Sequence, residues 1–184
     1  MATGMPPLRK EAAGRSAPAA GLETVRVSSP LDYTQAALLL GEQRAWTEAL
    51  IGRELAEVQP SAREEYASLA DFYGFPHGQL LLARLDGEPV GVIGVRRIDE
   101  RRGEGKRLFV RPSARGHGIA QRLVDELFGL CRALGFKSLY IETSPEKMGQ
   151  QYAWYRRLGF RETTKLGFAD MDTVVAMERQ LYAV

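Results

Sequence analysis

A glycine-containing turn at residues 115–120 is the first place where the sequence could do chemistry. Its residues are Arg115, Gly116, His117, Gly118, Ile119 and Ala120. A predicted strand precedes the turn and a predicted helix follows it, so the positive end of that helix and its free backbone N–H groups would attract phosphate oxygens. Glycine also lets the backbone approach a ligand closely. We expect a pyrophosphate to bind there, and the alternative is a tight turn that uses glycine for geometry alone.

Two common nucleotide-binding patterns do not explain this turn. A P-loop needs Gly, four residues, Gly, Lys and then Ser or Thr, and no such string occurs in the chain. Gly116 and Gly118 match the first two glycines of a Rossmann pattern, and Glu142 ends the next predicted strand, where that pattern has an acidic residue. Its third glycine position is Gln121, however, and too few residues follow Glu142 for the remaining strands of a dinucleotide-binding domain.

The elements that must position the turn follow from hydrophobic periodicity and turn residues. We predict strands at residues 22–27, 79–85, 89–98, 106–110, 138–142, 160–165 and 174–181. We predict helices at residues 30–58, 60–73, 119–134 and 150–158. Residues 101–105, charged and rich in glycine, are predicted to be a connecting loop. The strand, helix and strand that span residues 106–142 form a crossover unit, so its two strands should run parallel.

Two motifs give the chain a family resemblance. Arg115, Gly118 and Ala120 fill the pattern Gln/Arg-x-x-Gly-x-Gly/Ala, which resembles the acetyl-CoA-binding signature of the GNAT N-acetyltransferase superfamily. Residues 155–160, Tyr-Arg-Arg-Leu-Gly-Phe, resemble the Tyr-x-x-x-Gly-Phe helix end of the same family. The order of elements from about residue 22 to residue 181 is also similar. The resemblance implies an α/β, GNAT-like fold: a mixed, mostly antiparallel sheet of about six to seven strands with a central parallel pair and helices on both faces.

The resemblance implies acetyl-CoA as the cosubstrate. Backbone groups of Leu108, Phe109 and Val110 would pair with the pantetheine arm as an added strand does. Backbone amides of residues 115–120 would hold the pyrophosphate, and Arg115 would add charge.

One position departs from the family pattern. Many relatives carry a cofactor-binding Asn seven residues before the tyrosine of the second motif, where this chain has Met148. Gln150 or Gln151 would have to replace that contact.

The implied acyl transfer to an amine needs a base and an acid. A lysine-like amine has a pKa of about 10.4 and must lose its proton before it attacks. The resemblance places Tyr155 beside the CoA sulfur, where its phenol would protonate the leaving thiolate. Glu104 opens the run Glu-Gly-Lys-Arg-Leu-Phe-Val, which resembles Glu-x-Lys-Arg-Leu-Tyr-Val in one GNAT branch, so it is the candidate base. A solvated loop charge is the alternative for Glu104, and Glu142 is the reserve base.

Composition excludes several other classes of protein. The 25 basic and 23 acidic residues nearly cancel, which argues against nucleic-acid or anionic-membrane partners. Cys131 is the one cysteine and sits among apolar residues of a predicted helix, so we expect a buried thiol, no disulfide, no metal site and a cytoplasmic setting. We expect residues 1–21, rich in Ala, Gly and Pro, to be a disordered tail, and residues 22–184 to be a single domain.

The resemblance implies an N-acetyltransferase that acts by direct attack in a ternary complex. The acceptor would be a primary amine of a small molecule or peptide, facing residues 31–75 and the loop 165–173. The alternative is a non-catalytic acyl-CoA-binding regulatory module, and Tyr155 favours the enzyme. The oligomeric state is left undecided between a monomer and a homodimer.

Overall fold

The computed structural model describes residues 21–182. Its strands are β1 (Leu22–Arg26), β2 (Gly78–Leu85), β3 (Glu88–Arg97), β4 (Arg102–Val110), β5 (Ser138–Thr143), β6 (Arg161–Thr163) and β7 (Val175–Gln180). Its helices are α1 (Pro30–Ile51), α2 (Leu55–Val58), α3 (Ala62–Ala67), α4 (Leu69–Tyr73), α5 (Ile119–Ala133) and α6 (Gly149–Arg157). The tail predicted before residue 21 lies outside the described residues.

The strands form one mixed sheet of seven in the order β1-β2-β3-β4-β5-β7-β6. Neighbouring strands are antiparallel except β4 and β5, which are parallel. The predicted mixed sheet with a central parallel pair is therefore confirmed. The parallel ladder is short, because only Arg102–Glu104 of β4 pairs with β5. From Gly105 onward, β4 has no ladder partner on the β5 side among residues 21–182.

Side chains along each strand point alternately to the two faces of the sheet and form a hydrophobic core on each face. Leu81 and Ala83 of β2 pack in a cluster with Leu123 and Leu127 of α5. The intervening Leu80 and Leu82 pack instead in the cluster that contains Leu39 and Leu40 of α1. Helices therefore cover both faces, as predicted, and the strands are apolar on both sides because neither face is left to solvent.

Two of the predicted helices are each broken in the structure. α1 begins at a capping box formed by Ser29 and Asp32, and it ends at Gly52, whose φ of 72° is the left-handed conformation typical of a helix end. The prediction of one helix to residue 58 is therefore wrong. The single helix predicted from Pro60 is also wrong, because Ser68 adopts an extended backbone and accepts a hydrogen bond from the N–H of Asp71 to begin α4. No helix within residues 21–182 is long and apolar enough to cross a membrane.

The loop predicted at residues 101–105 is wrong, because β4 already begins at Arg102. Its glycines are needed for close packing inside the sheet. A Cβ on Gly103 would lie 2.7 Å from Val95 Cγ2, and a Cβ on Gly105 would lie 3.1 Å from Ile141 Cγ2. Glu104, between them, points to the opposite face, as successive strand residues do.

A β-bulge interrupts the pairing of β3 and β4. The register shifts between Val92 and Gly94, opposite Arg107, whose φ is 60°. A left-handed conformation is uncommon for a residue with a side chain, and the surrounding structure must hold it in place. The bulge lies in the part of β4 that has separated from β5.

Candidate active site

The turn at residues 115–120 leads directly into the first turn of α5. A short 3-10 helix, Pro112–Ala114, precedes the turn. Gly118 is the N-cap of α5, has a φ of 70°, and provides no side-chain cap for the helix. A Cβ on Gly116 or Gly118 would meet nothing within 4 Å. The first N–H groups of α5 are thus open to a ligand, and an anion is the ligand that such a helix end attracts.

Side chains of the turn brace it against the chain that precedes it. Arg115 Nε donates a hydrogen bond to the carbonyl oxygen of Val110 over 3.0 Å, and His117 Nδ1 lies 3.2 Å from the carbonyl oxygen of Ala114. Partial burial lowers the pKa of Arg115. Arg115 therefore ties the turn to the end of β4, a contact that the sequence motif did not predict.

A cavity of about 120 Å³ lies where β4 and β5 separate. Its lining includes Glu104, Lys106, Leu108, Glu142, Thr143 and Tyr155. Of the predicted site residues, Glu104, Leu108 and Tyr155 therefore share one cavity. Phe109 and Val110 are buried in the two cores and do not line it. The turn at residues 115–120 lies farther along the chain, at the start of α5, and does not line it either.

Tyr155 of α6 lines this cavity with its phenol largely buried, at 8% exposure. Its oxygen accepts a hydrogen bond from Gln151 Nε2 over 3.0 Å, and its ring packs against Phe160 with centroids 5.4 Å apart. Burial raises the pKa of Tyr155 to about 12. The phenol is therefore protonated at neutral pH and can act as a proton donor. Gln151, one of the two residues that would replace the family's cofactor-binding Asn, thus positions this hydroxyl.

Glu104 is buried on the same cavity, with 3% of its surface exposed. Its Oε1 accepts a hydrogen bond from Lys106 Nζ over 3.1 Å, and its Oε2 lies 3.5 Å from Arg96 Nη2 without a hydrogen-bond partner. The interpretation of Glu104 as a solvated loop charge is therefore wrong. Burial lowers the pKa of Lys106, against the opposing charge of Glu104.

Glu142, the reserve candidate, lies on β5 across the opening from Glu104. Its Oε1 accepts hydrogen bonds from Tyr140 Oη over 2.7 Å and from the N–H of Phe168 over 3.3 Å. Phe168 belongs to the loop between β6 and β7, which also reaches α2, because the N–H of Asp170 donates to the carbonyl oxygen of Val58 over 2.7 Å. The loop expected to face the acceptor thus lies over the end of β5.

An ion pair beside the cavity was missed in the sequence. Glu65 of α3 is fully buried and binds Arg107 through both carboxylate oxygens. Tyr73 Oη also donates a hydrogen bond to Glu65 Oε1 over 2.5 Å. In the sequence Glu65 follows Glu64 and looks like one of a solvated pair. One feature of the sequence could have indicated that Glu65 is buried. It lies one helical turn before Leu69, on the apolar side of the predicted helix.

The model of the Acetyltransferase (GNAT) family matches residues 45–160, which is more than half of the chain. The chain belongs to the GNAT family. It is therefore an acetyl-CoA-dependent N-acyltransferase, since the members of this family transfer an acetyl group from acetyl-CoA to an amine. The matched region includes the turn that begins α5, the whole of α6 and every residue that lines the cavity except Gln43.

Individual relatives agree with the family assignment. An IAA acetyltransferase of Azospirillum brasilense is 33% identical over 119 residues, which cover 64% of this chain and 76% of that protein. An acetyltransferase structure from Streptococcus agalactiae has a TM-score of 0.68 at 20% identity and covers 88% of this chain and 99% of its own. A PaiA N-acetyltransferase from Thermoplasma acidophilum, solved with coenzyme A, has a TM-score of 0.67 at 19% identity. The match covers 86% of this chain and 98% of that chain. The two structures establish the shared GNAT fold.

Proposed function

We propose that this GNAT enzyme transfers the acetyl group to a primary amine of a small molecule or peptide, by direct attack within a ternary complex. The observation that carries the proposal is that Tyr155 and Glu104 line one cavity at the point where β4 and β5 separate. An acid and a base are the two groups that acyl transfer to an amine requires. They reach this cavity from different elements, α6 and β4.

The chain's own residues fit acetyl-CoA at two places. The uncapped start of α5, with open space at Gly116 and Gly118, suits the pyrophosphate. The edge of β4 that faces away from β3, at Leu108, Phe109 and Val110, suits the pantetheine arm, because β5 does not pair with it. The bound cosubstrate would supply an activated acetyl thioester whose leaving group is a thiolate.

Glu104 would take the proton from the acceptor. Its Oε2 is buried, has no hydrogen-bond partner and belongs to a residue that lines the cavity. The ammonium of Lys106 stabilises the carboxylate from the other oxygen, which keeps Oε2 available. Proton removal leaves the amine with a free lone pair for attack.

Tyr155 would supply the proton at the end of the reaction. Its oxygen accepts from Gln151, so the phenolic hydrogen is directed elsewhere and can be donated to the leaving sulfur. Its raised pKa keeps that hydrogen in place across the neutral range. A phenol held near the sulfur is thus the acid of the reaction.

The test is the release of free thiol from acetyl-CoA with a panel of primary amines. We expect turnover with at least one amine, and we expect saturating acetyl-CoA, at 100 times its Kd, to add about 2.7 kcal/mol to the free energy of unfolding. Stabilisation by acetyl-CoA without thiol release across a broad panel would favour the non-catalytic acyl-CoA-binding module. A melting curve that acetyl-CoA leaves unchanged would contradict both functions.

A further inference from the structure

The cavity between β4 and β5 is lined by residues that carry four buried oxygen atoms without hydrogen-bond partners. They are Gln59 Oε1, Glu104 Oε2, Glu142 Oε2 and Thr143 Oγ1. Glu104 and Thr143 are themselves almost fully buried, at 3% and 5% exposure. Four such oxygens around one cavity are unusual, because buried polar atoms in proteins are nearly always hydrogen-bonded. All four can accept a hydrogen bond, so the cavity calls for a ligand rich in donors.

The cationic side chains of the cavity do not meet this need. Lys106 donates to Glu104 Oε1, and Arg96 Nη2 lies 3.5 Å from Glu104 Oε2. Arg107 donates to Glu65 from Nε and Nη2. Among residues 21–182, Glu142 has no ion-pair partner. Its second oxygen therefore has neither a hydrogen-bond partner nor a directly paired cation among the described residues, which favours a cationic ligand.

The two carboxylates lie on the same face of the sheet and on opposite sides of its opening. Glu104 of β4 pairs in register with Tyr140 of β5, and Glu142 follows two residues later, where the strands no longer pair. Side chains two residues apart on a strand share a face. One ligand that enters the opening can therefore meet Glu104 at one end and Glu142 at the other.

We infer that the acceptor is a cationic amine with a second donor group, an ammonium or a hydroxyl, that Glu142 binds. This inference rests on the proposed function, in which Glu104 receives the reacting amine. An amino acid of the same length would place its own carboxylate against the uncompensated oxygen of Glu142. The site should reject it, because a specificity pocket discriminates strongly when a mismatched ligand leaves buried polar groups unpaired or brings like charges together.

Three acceptors of matched length test the inference. They are 1,4-diaminobutane, 4-aminobutanoate and butylamine, each assayed by thiol release at fixed, saturating acetyl-CoA. We expect kcat/KM for the diamine to exceed that for the amino acid by at least about tenfold, with butylamine between them. Equal or better use of 4-aminobutanoate would overturn the inference and leave the acetyltransferase function intact.

Variants test whether Glu142 is the residue that distinguishes the diamine from the other acceptors. Glu142→Gln keeps the shape of the side chain and removes its charge, so the diamine should lose about tenfold in kcat/KM through KM while butylamine changes little. Glu146→Gln, which changes an acid with 63% side-chain exposure nearby, is the matched control and should change neither acceptor. Equal losses for diamine and butylamine in Glu142→Gln would mean that Glu142 is the base or only supports the fold, and either result would overturn the assignment.

A binding readout separates this inference from the acyl transfer itself. The melting temperature of the CoA complex is measured with each of the three compounds. We expect 1,4-diaminobutane to raise it further in the wild type than in Glu142→Gln, and 4-aminobutanoate to leave it unchanged. That pattern would support the inference even where no thiol is released, a result that would count against the proposed function alone. Equal stabilisation by all three compounds would overturn the inference.

Discussion

Arg107 and Glu65 lie 42 residues apart in the chain and form an ion pair through two hydrogen bonds, of 2.9 Å from Nε and 2.7 Å from Nη2. Their side chains are 5% and 0% exposed. Arg107 is also the bulge residue of β4 with a positive φ. The pair therefore fixes α3, on the side of the molecule expected to face the acceptor, to the strand that carries Glu104.

Glu65→Gln should destabilise the fold by about 3 kcal/mol, because it leaves the buried guanidinium of Arg107 without its counter-charge. Chemical denaturation measures the loss. The matched control is Glu57→Gln, which breaks the exposed Arg53–Glu57 pair and should have little effect. Equal stability of the two variants would mean that the buried pair contributes no more than a surface pair.

The same pair predicts a dependence of stability on pH. Burial raises the pKa of Glu65, but the hydrogen bonds and charge of Arg107 outweigh it, so the pKa lies below the ordinary 4.5. A depressed pKa stabilises the fold fully above the unfolded value and loses that contribution as the pH falls through the folded value. The difference in unfolding free energy between wild type and Glu65→Gln should therefore be constant near neutrality and shrink on acidification below about pH 4.5. A difference that grew in acid would contradict this sign.

Tyr155→Phe should lower kcat by about 10²- to 10⁴-fold with little change in the KM of the acceptor, because it removes only the proton donor. Tyr152→Phe, on the same helix, is the control, since the hydroxyl of Tyr152 bonds to Glu162 on the surface. The wild-type kcat should not fall as the pH rises through 10, the ordinary pKa of tyrosine, because burial raises the pKa of Tyr155 to about 12. A Tyr155→Phe variant that kept full kcat and only melted earlier would reduce the hydroxyl to a structural role.

Glu104→Gln should lower kcat strongly at neutral pH, where the acceptor amine is protonated. The deficit should shrink as the pH approaches about 10, because the amine then loses its proton without a base. The measurement is the ratio of wild-type to variant kcat across pH, with circular dichroism to verify that the variant is folded. A ratio independent of pH would mean that Glu104 positions other groups and is not the base.

Gly118→Asp and Gly118→Asn form a matched pair at the start of α5. Both side chains tolerate the φ of 70°, and neither Cβ would meet another atom within 4 Å. The aspartate should raise the Kd of CoA at least about tenfold more than the asparagine, because it adds a negative charge at the helix end that attracts phosphate. Titration calorimetry measures both values. Equal affinities would place the pyrophosphate elsewhere.

Gly103→Ala and Gly129→Ala should change stability in opposite directions. A Cβ at Gly103 would lie 2.7 Å from Val95 Cγ2 and 2.8 Å from Phe136, so the change should cost about 1–3 kcal/mol. At Gly129, within α5, a Cβ would meet nothing within 4 Å, and alanine should stabilise the helix by about 0.5–1 kcal/mol. Thermal unfolding of both variants checks the prediction, and destabilisation by Gly129→Ala would contradict it.

Features with local causes could be predicted from the sequence. α5 was predictable because Leu123, Leu127 and Cys131 repeat at helical spacing and are buried together, with Cys131 fully buried as expected. The turn before α5 was predictable because glycine is required where φ is positive, as at Gly116 and Gly118.

Features with distant causes could not be predicted. The early start of β4 depends on Val95 and Ile141, which pack against Gly103 and Gly105 from other strands. Glu65 has its partner 42 residues away, and no local pattern marks that pairing.

The two parts of the sheet are joined by few hydrogen-bonded residues. Within residues 21–182, strand pairing between β1 to β4 and β5 to β7 is limited to Arg102–Glu104 of β4. The carbonyl oxygen of Arg101 extends it by accepting from the N–H of Lys137, and α5 contacts both parts. Cooperativity between the two parts must then rest on this short ladder, on α5 and on contacts such as the hydrogen bond from Asp170 to Val58, and not on a continuous network of strand pairing. A cosubstrate that pairs with β4 beyond Glu104 would lengthen that connection. The unfolding transition of the enzyme would in that case be sharper with cosubstrate bound, so cooperativity itself would report occupancy.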